Sequence, residues 1–524
     1  MRHRIVALAV AGVLAAAVPA GAASPEPVPG YGDEDGDGYE DGDGYEDGDG
    51  YEDGYGYEDG DGDSPPPGPT PPPPGSASPD GEAWAWTQLT SGGTQIRYVS
   101  TDSSQTCPSV RYTYGGSQHT DPLSRRSEPR GLQFPTTVCE AEVPLTASDA
   151  TLVPATVRAA RLHPSTGQLP LPNWTSTTRP ARIGVIGDTG CELPADMNEP
   201  AQNCANRWPF RQIADSVVDR TRPNLVVHVG DYLYREDPGR GNDNPAGCTS
   251  TADAANWACV VADFFRPAER LLATAPVVLA RGNHEDCNMN QQGGAGGAWF
   301  RYLADELRSN GSCSLFSRPA MIHAGTLTLA SVDSSLADRR DDGSTANQGT
   351  YTTQFNAVNQ AAALAPGDVF VVTHKPLWMV KAAGQTPGAV TWATRVLDGA
   401  VANTQLRHLQ SKVRMVLSGH FHLAQKLDFD STRPPQLTLG NSGGPLDNGP
   451  IDGNVELQSI GTPPQQVNQS VTKLRTPGGL AIYGYGDLRW DGTTWNLTFR
   501  DRTGDPLGSS CRLSTSTDHR NFVC

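Results

Sequence analysis

No stretch of this 524-residue chain holds eighteen consecutive apolar residues, so no segment reads as a transmembrane helix. Its ten cysteines include no C-x-x-C pair, which argues against a cysteine-rich zinc site. Positive charge is missing from residues 24–64, which hold 17 Asp or Glu and no Lys or Arg. That segment accounts for nearly all of the net charge of −18, so the rest is close to neutral. Nothing in it offers a basic face to nucleic acid.

What is present begins with Arg2, His3 and Arg4 ahead of a 14-residue apolar run, Ile5–Val18, and then Ala20-Gly21-Ala22. The run is too short to span a bilayer, and the pattern reads as a secretory signal peptide over residues 1–23. The mature protein is expected to be secreted and soluble. Residues 24–80 follow, with the hexapeptide YEDGDG at Tyr39–Gly44 and Tyr45–Gly50 and a Pro-rich run from Ser64 to Pro79. Such composition cannot bury enough apolar surface to offset its ordering entropy, so a disordered spacer with a semi-rigid stalk is expected. Asp33–Gly38 matches the first half of a calcium loop, but its twelfth position is Gly44 rather than Glu. Weak calcium or cell-wall contact through this acidic tail is the alternative to a plain spacer.

From about 81 to 180 the chain reads as short β-rich segments separated by turns, without helical periodicity: a small all-β sandwich domain. From 181 to 524 strands and helices alternate, with helical periodicity clearest in Pro209–Arg220 and Val260–Ala273. That order gives parallel neighbours and right-handed crossovers. After His422 only strand patterns remain, so a mixed sheet or a second packed sheet is expected, in an α/β (α+β) fold. An even cysteine count in an exported chain implies disulfides. Nearest-neighbour pairing gives 107–139, 191–204, 248–259, 287–313 and 511–524.

Five blocks organise the body: RIGVIGDTG (Arg182–Gly190), LVVHVGDYLY (Leu225–Tyr234), VVLARGNHE (Val277–Glu285), VFVVTHKP (Val369–Pro376) and VRMVLSGHFH (Val413–His422). In each, a non-alternating apolar run, the mark of a strand buried on both faces, stops abruptly in polar residues. Open α/β sheets bind ligands just beyond such strand ends. The residues there are Asp188, Asp231, Tyr234, Asn283, His284, His374, His420 and His422. All are oxygen or imidazole donors and none is cysteine, which suits hard or borderline metals. A two-metal hydrolytic centre follows.

The set resembles the calcineurin-like metallophosphoesterases, and most narrowly the purple acid phosphatases, whose pattern is D-x-G, GD-x-x-Y, GNH-[D/E], V-x-x-H and GH-x-H. The resemblance implies a metallophosphoesterase-type β-sheet sandwich flanked by helices. It also implies a binuclear centre of Fe(III) plus a divalent Fe, Zn or Mn. The first ion would take Asp188, Asp231, Tyr234 and His422. The second would take Asp231, Asn283, His374 and His420, with Asp231 bridging. Where the wider superfamily has a histidine in its first block, this chain has Gly190, and Tyr234 can fill the vacancy as a hard phenolate. His284 would face the substrate as the catalytic transition-state contact or leaving-group acid. The implied activity is hydrolysis of phosphomonoesters by attack of a metal-bound hydroxide.

One departure stands out: mammalian-type members carry a further histidine nine residues after V-x-x-H, and here that position is Ala383, with Lys381 nearby. His228, inside the second block, reads as a packed or supporting histidine, and Glu285 and Asp286 as loop residues that could orient His284. Gly440–Pro445 looks like the block around a serine-peptidase nucleophile, with Asn441 in place of its acidic residue. A strand-to-turn role after LTLGN explains it without catalysis, and no histidine lies in the A-A-H-C context such a peptidase needs. The alternatives to a phosphomonoesterase are a phosphodiesterase using the same centre and an inactive surface-binding protein.

Overall fold

The computed structural model describes residues 82–524 apart from 103–105, 154–160, 195–196, 198–199, 241–246, 249–254, 286, 288–294, 307–312, 338–346, 379, 383–389, 393–394, 430, 448–454, 458–464, 470–481 and 517–519. The expected signal peptide, acidic repeat and linker lie outside the described residues. No described helix is long and apolar enough to cross a membrane.

Three of the five blocks form adjacent parallel strands, Arg182–Ile186, Leu225–His228 and Val277–Leu279, at the centre of a twelve-stranded sheet. The other two, Val369–Val372 and Val413–Ser418, pair in parallel in an eight-stranded sheet between Leu327–Ser331 and Gln436–Leu439. Both outcomes expected after His422 occur. Gln436–Leu439 joins the second sheet, while Gly484–Trp490 and Trp495–Asp501 extend the first in antiparallel fashion.

Side-chain alternation explains how these strands stack. Val185, Val227 and Val278 point inward to a core shared with Leu329, Phe370, Val372, Met415 and Leu417 of the facing sheet. Their neighbours Ile186, Val226 and Val277 point outward onto Phe210, Ile213, Val217, Phe264 and Leu271. On the far side Val369, Val371 and Val416 meet Tyr351, Phe355, Val358 and Leu397. Four layers result, helix–sheet–sheet–helix, so both faces of both sheets are covered and the apolar runs need no polar alternation.

The helices follow the periodicity with two adjustments. Phe210–Ser216 continues as a π-helical turn, Val217–Thr221, closed by Arg222 in a left-handed conformation (φ 51°). The pattern over Val260–Ala273 is divided: a helical stretch from Trp257 to Phe265 precedes a separate helix, Glu269–Thr274. Pro267 lies at the break, where it lacks the N–H that an uninterrupted helix needs.

Residues 82–169 form the two layers of a sandwich around Ala83, Ala85, Ile96, Tyr98, Val110 and Tyr112. One layer is continuous with the large sheet, because Glu82–Thr90 pairs in parallel with Val277–Leu279 through Gln88 and Val277. Buried arginines strengthen this junction. Arg97 donates to the carbonyls of Tyr302 and Ala304, and Arg126 to those of Phe300, Arg301, Ala304 and Glu306. All ten cysteines are paired as 107–139, 191–204, 248–259, 287–313 and 511–524.

Candidate metal centre

Each parallel strand ends in a turn that the strand itself cannot continue. Asp188, Asp231 and His420 follow three of those ends with φ of 55°, 55° and 74°, a left-handed conformation uncommon for side chains other than glycine. Each costs about 1–3 kcal/mol, held in place by the surrounding structure. The turns are stapled together: Asp188 N–H donates to Gly230 O, Thr189 N–H to Asp231 O, and Gly419 N–H to His374 O. His420 N–H donates to both carboxylate oxygens of Asp188, linking the second sheet to the first.

The side chains converge in two adjoining groups. In the first, Tyr234 Oη lies 3.1 Å from Asp188 Oδ1, 2.8 Å from Asp231 Oδ2 and 2.9 Å from His422 Nε2. In the second, His374 Nε2 lies 3.0 Å from Asp231 Oδ2 and 2.9 Å from Asn283 Oδ1. Donor atoms of Asp231, His374 and His420 all fall within 4.8 Å of one another. Asp231 belongs to both groups.

The arrangement fits cations better than hydrogen bonds. Tyr234 has one phenolic proton for two carboxylates and an imidazole. His374 Nδ1 lies 3.0 Å from Val229 O, and His422 Nδ1 lies 2.6 Å from Pro445 O. A carbonyl can only accept, so Nδ1 donates in each ring and Nε2 faces the cluster. Metal-bound imidazoles are oriented by such contacts. The spacings also match the ~3 Å ligand–ligand edges expected around an ion with bonds of about 2.0–2.1 Å.

Gly190 accounts for Tyr234. A Cβ at Gly190 would stand 2.6 Å from Tyr234 Cδ2 and 2.8 Å from its backbone N, so a side chain there and the phenol exclude each other. Similarly, a Cβ at Gly282 would collide with Asp231, and one at Gly419 with Asp188. These glycines let the turns close onto the carboxylates.

Electrostatics reflects the crowding of acids. Burial, then Asp231, raises Asp188 well above the carboxylate range. Burial, then Asp188 and Asp231, likewise raises Tyr234. Burial opposes the charge on Asp231 too, but His374, His284 and His420 outweigh it and hold that carboxyl low.

His284 sits at the edge of the cluster, its N–H donating to Asp231 Oδ1 at 3.0 Å and its ring 4.3 Å from that of Tyr234. Its Nδ1 is 3.0 Å from a carboxylate oxygen of Glu236. Burial disfavours the charged ring, yet Asp231, Glu236 and Glu285 prevail and raise its pKa to about 9.

All eight residues singled out in the sequence therefore lie at one edge, where the two sheets meet. His228 is buried, stacked on Tyr232 with ring centroids 3.9 Å apart, and its Nε2 lies 2.8 Å from Thr189 Oγ1. Glu285 is no solvated loop residue. It is fully buried and accepts from the N–H groups of Tyr232, Leu233 and Gly282, tying the second and third blocks together. Glu236 was not singled out; its position five residues after Asp231, on the turn that carries Tyr234, is the only sequence signal for it. Ser442 is excluded as a nucleophile, being buried with its hydroxyl donating to Gly484 O at 2.9 Å. Asp286 and Ala383 lie outside the described residues.

A family model, calcineurin-like phosphoesterase, matches residues 181–424. No curated protein sequence matches the chain. Among solved structures it is similar to a purple acid phosphatase from yellow lupin (Lupinus luteus) seeds. That match has 11% identity, covers 81% of this chain and 73% of that one, and has a TM-score of 0.49. A second is GAP50, the anchor in the inner membrane complex of Plasmodium, with 10% identity, 66% and 90% coverage and a TM-score of 0.34. A third is Vps29 of Entamoeba histolytica complexed with zinc, with 10% identity, 63% and 98% coverage and a TM-score of 0.26.

Proposed function

We propose that residues 181–424, which match the calcineurin-like phosphoesterase model, form a phosphoesterase domain and that the protein is a secreted phosphatase acting on phosphomonoesters. Such a domain is that of a metal-dependent phosphoric ester hydrolase and implies a binuclear metal centre. In our reading Asp188, Asp231, Tyr234 and His422 hold the first ion, and Asp231, Asn283, His374 and His420 the second. Tyr234 in the space left by Gly190 is the observation that carries the narrower assignment. A phenolate favours Fe(III) at the first position, beside a divalent Fe, Zn or Mn. When bound, such ions supply Lewis acidity and generate a nucleophile from water at neutral pH.

The chain's own residues contribute position and proton transfer. The paired turns fix the donors before any ligand arrives, so little reorganisation accompanies the reaction. His284, whose Nδ1 lies beside the Glu236 carboxylate, can in its charged form donate to the departing alkoxide oxygen. Secretion is supported by the basic, apolar and small-residue order of residues 2–22 and by the five disulfides.

The test compares para-nitrophenyl phosphate with its bis-ester, before and after exhaustive chelation. The proposal expects a higher kcat/KM on the monoester, and loss of both activities on chelation. Faster turnover of the diester would instead identify a phosphodiesterase. No turnover of either by protein carrying two metal ions would favour a binding role.

A further inference from the structure

The turn Gly440–Asp447 has no part in the chemistry above and lies beyond the family match, which ends at residue 424. We infer that this turn is a cradle that positions His422 and Asp188 for the first metal ion. The inference rests on the two-ion reading and extends it to residues that neither the five blocks nor the family match includes.

Four contacts carry it. The carbonyl of Pro445 takes the Nδ1 proton of His422 at 2.6 Å, which fixes the ring with Nε2 facing Tyr234. Asp447 and His422 grip each other's main chain: His422 N–H donates to Asp447 Oδ2 at 2.9 Å, and Asp447 N–H to His422 O at 3.0 Å. Gly444 N–H donates to Asp188 O at 2.8 Å, so the same turn holds a residue of the other sheet. Finally, Gly444 lies so close beneath the His422 imidazole that a Cβ there would approach Cε1 to 2.6 Å.

The cradle is itself anchored. Ser442 N–H donates to Gly187 O, and Gly484 N–H donates to Asn441 O. Gln202 donates its amide to Gly443 O at 2.8 Å. The resemblance to a serine-peptidase block thus has a mechanical origin. Two successive glycines let the chain pass between Thr189 and His422, and the serine fastens the turn to the strand ends.

His374 of the second group is braced elsewhere, which makes the inference specific. His374 is held by Val229 O and by Ser334 Oγ, which accepts its N–H. Damage to the turn should therefore weaken one ion and spare the other.

The experiment uses the full chain, stripped of metal and titrated calorimetrically with Zn2+, in wild type, Gly444→Ala, Asp447→Ala and Asp447→Asn. Thermal midpoints of the metal-free proteins and KM with saturating Zn2+ are measured alongside. Wild type should bind two ions. Gly444→Ala and Asp447→Ala should weaken one of them by about 10–100-fold, the usual cost of losing an outer-sphere contact. The other ion and KM should hardly change, and each metal-free protein should still unfold cooperatively, Gly444→Ala at a somewhat lower midpoint. Asp447→Asn keeps an acceptor for His422 N–H and should retain most of the affinity. Equal weakening of both ions, unchanged binding in Gly444→Ala and Asp447→Ala, or loss seen only with a collapsed metal-free midpoint would overturn the cradle. Failure of wild type to bind two ions would instead remove the two-ion reading, and the cradle with it.

Discussion

Asp188, Asp231 and His420 each occupy a backbone conformation that glycine would adopt more easily, and each offers its side chain to the same edge. Keeping acidic or imidazole groups there at a conformational cost is what pre-organised sites do. These residues were legible in the sequence because each stands just past a buried apolar run. Glu285 and Glu236 were not, since their roles depend on which turns meet in space. Gly190 makes a direct prediction at this scale. Gly190→Ala should displace the Tyr234 ring, weaken the first ion and destabilise the fold by about 1–3 kcal/mol, as overpacking does. Unchanged metal content and denaturation midpoint would show that the tyrosine moves freely. Glu285 makes another. Burial and then Asp231 raise its pKa to about 8. A carboxyl raised in the folded state contributes stability below its unfolded pKa, and that contribution is lost as pH rises through about 8. Metal-free protein should therefore lose thermal stability between about pH 4.5 and about pH 8. Metal should flatten the slope by neutralising Asp231. A metal-free midpoint that rises over the same range would contradict this.

At the scale of elements, the parallel strands and their crossovers followed from unbroken β-branched runs and helical periodicity. The division of the helix at Pro267 and the pairing of Glu82–Thr90 with Val277–Leu279 did not. A strand's partner depends on tertiary packing that local pattern does not encode. The junction can be tested through Arg126. Its buried guanidinium joins Glu140 of the sandwich, at 2.7 Å, to the carbonyls that end the Trp299–Leu303 helical turn. Arg126→Met should cost about 1–3 kcal/mol, because it removes this donor from buried carbonyls, while Arg97 still serves Ala304 O and stays beside Glu140. Urea denaturation measures this. A loss below about 1 kcal/mol, the range of an exposed pair, would mean that the sandwich is only loosely attached.

For the whole molecule, three features stand together: five disulfides, an acidic repeat, and an edge where two sheets meet and the candidate metal-binding residues converge. The repeat's composition gives it no means of packing on the core. Deleting residues 24–80 should leave kcat/KM on a small phosphomonoester unchanged, and a tenfold loss would refute the spacer role. The nature of the centre is tested most directly by the visible spectrum of the purified protein, read together with its metal content. Tyr234 bound to Fe(III) should give a phenolate-to-metal charge-transfer band, with iron and a second metal in near-equal amounts. Tyr234→Phe, which removes one hydroxyl, should abolish the band while sparing the fold. A colourless wild-type protein, fully active with two zinc or two manganese ions, would contradict the account.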